Sequence, residues 1–238
     1  MSQRLILPIG ICNVNAGYKT AGYQKSCGYP HYGIDLGQPD KKRTVYSPGS
    51  GTVIAAGMDG NSEKERLGNA LVLVFPDVVF PNGKTASLAC RMFHLASIAV
   101  TPGQTVKQGD VLGIYGSTGA NTSGPHLHLE FDTDVRYPQY AVGIASSGRV
   151  IKKGSRDSTV DPSLVWYCGP GQQLLDGWGG TGIASGWLNP HDLAVPPLPA
   201  VQPQTDWEGL YRQEAEKLAQ LSAAVKRLGQ ELEQLVSQ

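Results

Sequence analysis

The chain has no apolar run approaching the ~18–20 residues that a membrane-spanning helix needs, so no span is expected. It has no net charge either: 20 Lys and Arg stand against 20 Asp and Glu in 238 residues. That balance lacks the basic footprint of a general nucleic-acid binder, and no nucleic-acid partner is expected. Charged residues are few, at 17% against ~25% in an average domain. The N-terminus offers only Leu5-Ile6-Leu7 as an apolar patch, cut short by Pro8 and Gly10, with no A-x-A-like site after it. No signal peptide is expected, and a role outside the cytoplasm would need another means of delivery. The four cysteines (Cys12, Cys27, Cys90, Cys168) show no C-x-x-C spacing. Three pairings into two disulfides are open, but without an export signal the thiols are expected to be free or buried.

What is present is glycine, 30 residues, and proline, 16, together about a fifth of the chain. That is below the ~25–30% that marks disorder throughout, and it suits a loop-rich, β-rich globular protein. Short β-prone runs (Thr52–Ala56, Ala70–Phe75, Ser87–His94, Val111–Tyr115, His126–Phe131) are separated by turns at Asp59-Gly60-Asn61, Pro81-Asn82-Gly83 and Gln108-Gly109-Asp110. Residues 1–168 read as one unit of this kind, a small sandwich or barrel. Residues 169–205 turn Gly- and Trp-rich and then Pro-rich, and read as a linker, with Trp178 and Trp187 pinning a loop to the domain. From 206 to 238, Trp207, Tyr211, Glu214, Leu218, Leu221, Val225, Leu228, Leu232 and Leu235 recur in steps of four and three. This heptad seam, with Asp206 placed to cap it, predicts an amphipathic helix. It would form a coiled coil with a second copy or another protein.

Four of the five histidines lie in suggestive settings. Gly124-Pro125-His126-Leu127-His128-Leu129-Glu130 puts both histidines on one face of a strand and both leucines on the other. His31-Tyr32-Gly33-Ile34-Asp35 spaces an imidazole and a carboxylate four apart, on one face of either regular structure. His94 ends a β-prone run. Each alone is weak. Together they match a catalytic zinc, which takes three protein ligands and leaves one position open for a water of lowered pKa. His31, Asp35 and one histidine of the pair would be the ligands. The other and His94 would be left for general-base and transition-state work.

The set resembles the M23 metallopeptidases, the lysostaphin- and LytM-like endopeptidases that cut peptidoglycan peptide cross-bridges. His31-Tyr32-Gly33-Ile34-Asp35-Leu36 is similar to their H-x-G-I-D segment. Val45-Tyr46-Ser47-Pro48-Gly49-Ser50-Gly51-Thr52-Val53 resembles their V-x-A-P-x-x-G-x-V hairpin, and Val106–Gly113 their V-K-x-G-x-x-I-G turn. Gly116-Ser117-Thr118-Gly119, Gly124-Pro125 and Asp161-Pro162 complete the likeness, which covers about residues 28–168. The resemblance implies a mostly antiparallel β domain with an open groove. It implies one zinc ion held by His31, Asp35 and His128, with His94 and His126 as catalytic histidines. The implied activity is hydrolysis of amide bonds in peptidoglycan stem peptides or cross-bridges.

Around this set, Glu130 is expected to be a solvated strand residue, with a role behind a ligand as the alternative. Tyr23 and Tyr29, just before the first ligand, are expected to be structural, His191 solvated, and Asn121 and Thr122 part of a loop. Met92-Phe93 replaces the family's usual aromatic pair, and residues 132–160 form a long insertion expected to wall the groove. The missing signal peptide suits a phage or prophage lysin, virion-associated or made in the cytoplasm and released. The alternatives are a virion tail component with secondary lytic activity and a non-catalytic peptidoglycan-binding activator.

Overall fold

In this computed structural model the described residues are 2–38, 42–60, 67–143, 148–152, 156–176 and 186–187. Strands β1 (Leu5–Ile6) and β2 (Ile11–Ala16) lead into the one α-helix among them, α1 (Ala21–Cys27). β3 (Ile34–Gly37), β4 (Thr44–Tyr46) and β5 (Gly51–Met58) precede the two longest strands, β6 (Asn69–Val79) and β7 (Thr85–Ile98). Then come β8 (Thr105–Val106), β9 (Val111–Tyr115), β10 (Leu127–Asp132), β11 (Tyr140–Ala141), β12 (Ile151–Lys152) and β13 (Thr159–Val160). A 3-10 turn at Pro162–Leu164 leads to β14 (Trp166–Cys168), β15 (Gln173–Asp176) and β16 (Gly186–Trp187).

The main sheet runs β15-β2-β3-β10-β7-β6-β5-β8, with β13 added to β10 and β9 joining β7 to β4. All its pairs are antiparallel except β15 with β2. The expected strands are all present: β5, β6 and β7 run a few residues longer than expected, β9 matches its run, and β10 is shifted one residue on, starting after His126. β6 shows why its sequence reads as an unbroken apolar run: both its faces are covered. Leu71, Leu73 and Phe75 enter the main core, while Ala70 and Val72 join Leu67, Phe93, Ala141 and Val150 on the other face. β10 alternates as expected, with Leu127, Leu129 and Phe131 in the main core.

Helix α1 has no sequence signature. It buries no residue, its N-cap Thr20 makes no side-chain cap, and so no apolar period exists to be read. It stops at Gly28, whose positive φ of 83° lets its N–H close back on the Gln24 carbonyl. The segment 169–205 is not linker from its start. β15 pairs in parallel with β2 and β16 antiparallel with β14, so the sheets extend beyond 168. Trp178, His191, the Pro-rich stretch and the heptad seam at 206–238 lie outside the described residues. None of the four cysteines forms a disulfide, in line with the expectation; Cys27 is exposed and the others are buried. Burial pushes the Cys12 thiol up to about 12, with Cys168 adding to it, so it stays a protonated, inert apolar group. Among the described residues no helix is long and apolar enough to cross a membrane.

Candidate active site

Three neighbouring strands carry the centre. β3 and β7 flank β10, and the register sets Asp35 opposite His128 on one side and Phe93 opposite His128 on the other. His31 reaches the same point from the segment before β3. Its Nδ1–H donates to the Gly17 carbonyl at 3.0 Å, which turns Nε2 inward. Tyr23 of α1 stacks on this imidazole with ring centroids 4.2 Å apart, and Tyr29 meets Tyr23 edge-on at 5.9 Å. Burial, and then the hydrogen bond with Tyr29, push the Tyr23 phenol well above its ordinary range.

Gly33 is the residue that lets these pieces meet. A Cβ there would stand 2.4 Å from the Leu129 carbonyl oxygen and 2.8 Å from His128 Nε2. The glycine of H-x-G-I-D is therefore needed for close approach of β3 to the H-x-H strand.

His31 Nε2, His128 Nδ1 and Asp35 Oδ1 form a triangle with sides of 3.1, 3.2 and 2.8 Å. Tetrahedral zinc at ~2.0–2.1 Å from N and O donors holds its ligands ~3.3 Å apart, so the donor set and its spacing fit that ion. His31, Asp35 and His128 are thus brought together as candidate ligands. Their electrostatics are those of a cation site. Burial would raise the Asp35 pKa, but hydrogen bonds from His128 and His31 outweigh it and hold the carboxyl far below the carboxylate range. Burial would lower His128, but Asp35 and Glu130 outweigh it and keep a proton there up to about 9. A metal ion held by these residues would take the place of that proton.

The two remaining histidines stand beside the triangle. His126 Nδ1–H donates to the Gly124 carbonyl at 2.8 Å, leaving Nε2 directed inward, 3.7 Å from Asp35 Oδ1. His94 Nδ1–H donates to the Thr118 carbonyl at 2.9 Å, and its ring centroid lies 4.9 Å from that of His126. Burial, helped by the charge on His128, pushes His94 down to about 4, so near neutral pH it is an uncharged imidazole with Nε2 free to accept a proton.

His94 gets there through a backbone irregularity. Its φ is +63°, uncommon for a residue with a side chain. The β6–β7 register slips between Asn69 and Leu71, and the β7–β9 register between Leu95 and Ser97. Met92 and Leu95 both enter the main core, so the extra residue puts consecutive Phe93 and His94 on the site face. This is the re-aiming that β-bulges perform. The Thr118 hydroxyl supports it by donating to the Leu95 carbonyl at 2.9 Å and accepting the Asn69 N–H at 3.0 Å.

Residues 29–140 match the profile of peptidase family M23. That stretch is an M23 peptidase domain. Over 101 residues it is 39% identical to the peptidoglycan DD-endopeptidase ShyB of Vibrio cholerae, covering 42% of this chain and 20% of that protein. An uncharacterized metalloprotease of Haemophilus influenzae is 32% identical over 130 residues, 50% of this chain and 24% of its own. The chain thus spans a fifth to a quarter of the length of the curated relatives it matches. A crystal structure of a zinc-containing peptidase from Vibrio cholerae is 30% identical, covering 54% of this chain and 37% of that one, with a TM-score of 0.40.

Several residues of the M23 site were not singled out by sequence reasoning. Phe93 stacks on the His128 ring at 5.2 Å and 8° between planes, and Thr118 holds His94. Arg91 is fully buried, bonded to Glu130 and Asp132. A guanidinium inside the apolar run Leu88–Met92 was a readable signal, since charges are buried only when paired. Glu130 itself is buried, not solvated as expected: Arg91 and His128 take its two oxygens. Thr122 is used within its own loop, bonding Ser117 and the Gly124 carbonyl.

Proposed function

We propose that this chain is a zinc-dependent endopeptidase that hydrolyses amide bonds in the peptide part of peptidoglycan. The observation that carries this reading is the donor triangle of His31, Asp35 and His128 with two further imidazoles, His94 and His126, at its rim. Zinc bound there would supply Lewis acidity toward the scissile carbonyl and a nucleophile at neutral pH.

The chain's own groups then have these tasks. His94, its Nδ1–H committed to Thr118, takes a proton at Nε2 from the attacking water. The proton His94 has taken goes to the leaving amine as the C–N bond breaks, and His126, its Nδ1–H committed to Gly124, presents Nε2 on the same side to orient the attacking water. Tyr23 and Phe93 hold the His31 and His128 rings in plane by stacking, which limits reorganisation during the reaction. The substrate class is supported by the likeness to ShyB, and to a second peptidoglycan DD-endopeptidase of Vibrio cholerae, ShyA, that is 36% identical over 101 residues.

The test is mass spectrometry of fragments released from several purified peptidoglycans, with zinc and then with a chelator. New amino and carboxyl ends that vanish with chelator are expected, and they name the bond. Protein with zinc bound that releases nothing from any wall type would overturn the enzymatic reading.

A further inference from the structure

We propose that Glu130, clamped by Arg91, is the positioning residue that makes His128 present Nδ1 to the metal. Glu130 Oε1 lies 3.3 Å from His128 Nε2, so the Nε2–H donates to it, and Nδ1 is left facing Asp35 and His31. Glu130 Oε2 accepts from Arg91 Nε at 2.7 Å, so neither carboxylate oxygen is available for another use. The clamp is itself held. Arg91 Nη2 donates to Asp132 at 2.9 Å, and Nη1 donates to the Pro138 and Tyr140 carbonyls at 3.0 and 2.8 Å. Arg91 and Glu130 face each other in register across β7 and β10, two register positions from the Phe93–His128 stack and on the same face.

Charge and burial separate this arrangement from a plain structural ion pair. Arg91 is 0% exposed, Glu130 2% and Asp132 0%. One guanidinium therefore meets two buried carboxylates, where one would neutralise it. Asp132 already serves that purpose, and it is further bonded to Ser158 and the Asp134 N–H. Of the two carboxylates, Glu130 is the one that touches His128. A buried anion on the far nitrogen of a ligating imidazole fixes its tautomer and raises its basicity toward the ion, worth ~10–100-fold in metal affinity. The backbone bonds to Pro138 and Tyr140 extend the same clamp into the insertion after β10, so the ligand's orientation and the path of that loop depend on one side chain.

The inference rests on the metal-site reading above, and its test separates the two. Zinc affinity is measured for the full chain and for Glu130→Gln by competition with a chromophoric chelator, alongside the Tm of each zinc-free protein. In the variant Arg91 and Asp132 still balance, but the single amide oxygen cannot serve both Arg91 and His128. Zinc binding 10–100-fold weaker is expected, together with some loss of zinc-free Tm from the buried donor left unpaired. A lowered Tm with zinc affinity within twofold would make Glu130 merely structural and overturn the inference. Wild-type protein that binds no zinc would overturn the metal-site reading as well. Should the variant not fold, nitrogen-detected NMR of zinc-loaded wild-type protein decides. Nε2 of His128 protonated and Nδ1 metal-shifted supports the inference; the opposite assignment overturns it.

Discussion

At Gly33 the whole centre depends on a missing methyl group. Alanine there drives a Cβ into the Leu129 carbonyl and the His128 ring. The carbonyl is backbone and cannot swing aside, so β3 must move away from β10 and take Asp35 with it. Gly33→Ala is expected to lower stability by about 1–3 kcal/mol, as overpacking does, and to weaken zinc binding at least tenfold. Thermal melts and the chelator competition check both. At this scale the sequence was informative about donors and silent about supports. His31, Asp35, His94, His126 and His128 could be read because imidazole and carboxylate declare their chemistry and their spacing matched a known pattern. Phe93 and Thr118 act through contacts with segments distant in the chain, which no local spacing records; Arg91 showed only as a charge inside an apolar run, with its partners unnamed.

The bulge in β7 is the element that decides where His94 points. Its strained φ persists only if neighbours hold it, and the Thr118 side chain is the visible holder, bonding Leu95 on one strand and Asn69 on the next. Thr118→Val keeps the shape and removes both bonds. The Leu95 carbonyl keeps the Asn69 Nδ2–H as a donor, but the Asn69 N–H loses its acceptor, which is expected to cost about 1–3 kcal/mol. Peptide hydrolysis should fall more than zinc affinity, because His94 is disturbed and the donor triangle is not. Comparing kcat with the zinc Kd separates the two effects; equal losses in both would mean that the bulge also supports the ligands. Strand positions were legible here because alternating or continuous apolar runs survive in β6, β7, β9 and β10. The bulge was not, since a single inserted residue leaves the run apolar. Nor was α1, which has no buried face to leave a pattern.

For the molecule as a whole, the strands after residue 168 change where the domain can be cut. β15 covers the edge of β2, whose Ile11 is already 40% exposed, and Leu174 is in the main core. A chain ended at 168 loses both and is expected to melt lower and aggregate through the bare β2 edge. A chain ended at 199 keeps the whole first compact unit and is expected to retain the wild-type Tm and zinc affinity. Light scattering and thermal melts of the two truncations check this. The sequence suggested an end at 168 because glycine and proline dominate residues 169–205. Composition cannot reveal that a short stretch such as Gln173-Leu174-Leu175-Asp176 will be claimed by a strand from the opposite end of the chain.

The donor triangle also has a consequence for how the chain folds. His31 and His128 are 97 positions apart, and the strands that bring them together are neighbours in space but not in sequence. Pairing of this kind must meet a large loop-closure entropy before any contact rewards it, which slows folding relative to locally wired proteins. An ion that joins the two ends acts like a removable cross-link across that loop. Metal arriving early would shorten the search, while metal arriving late would only lock a chain that has already found its register.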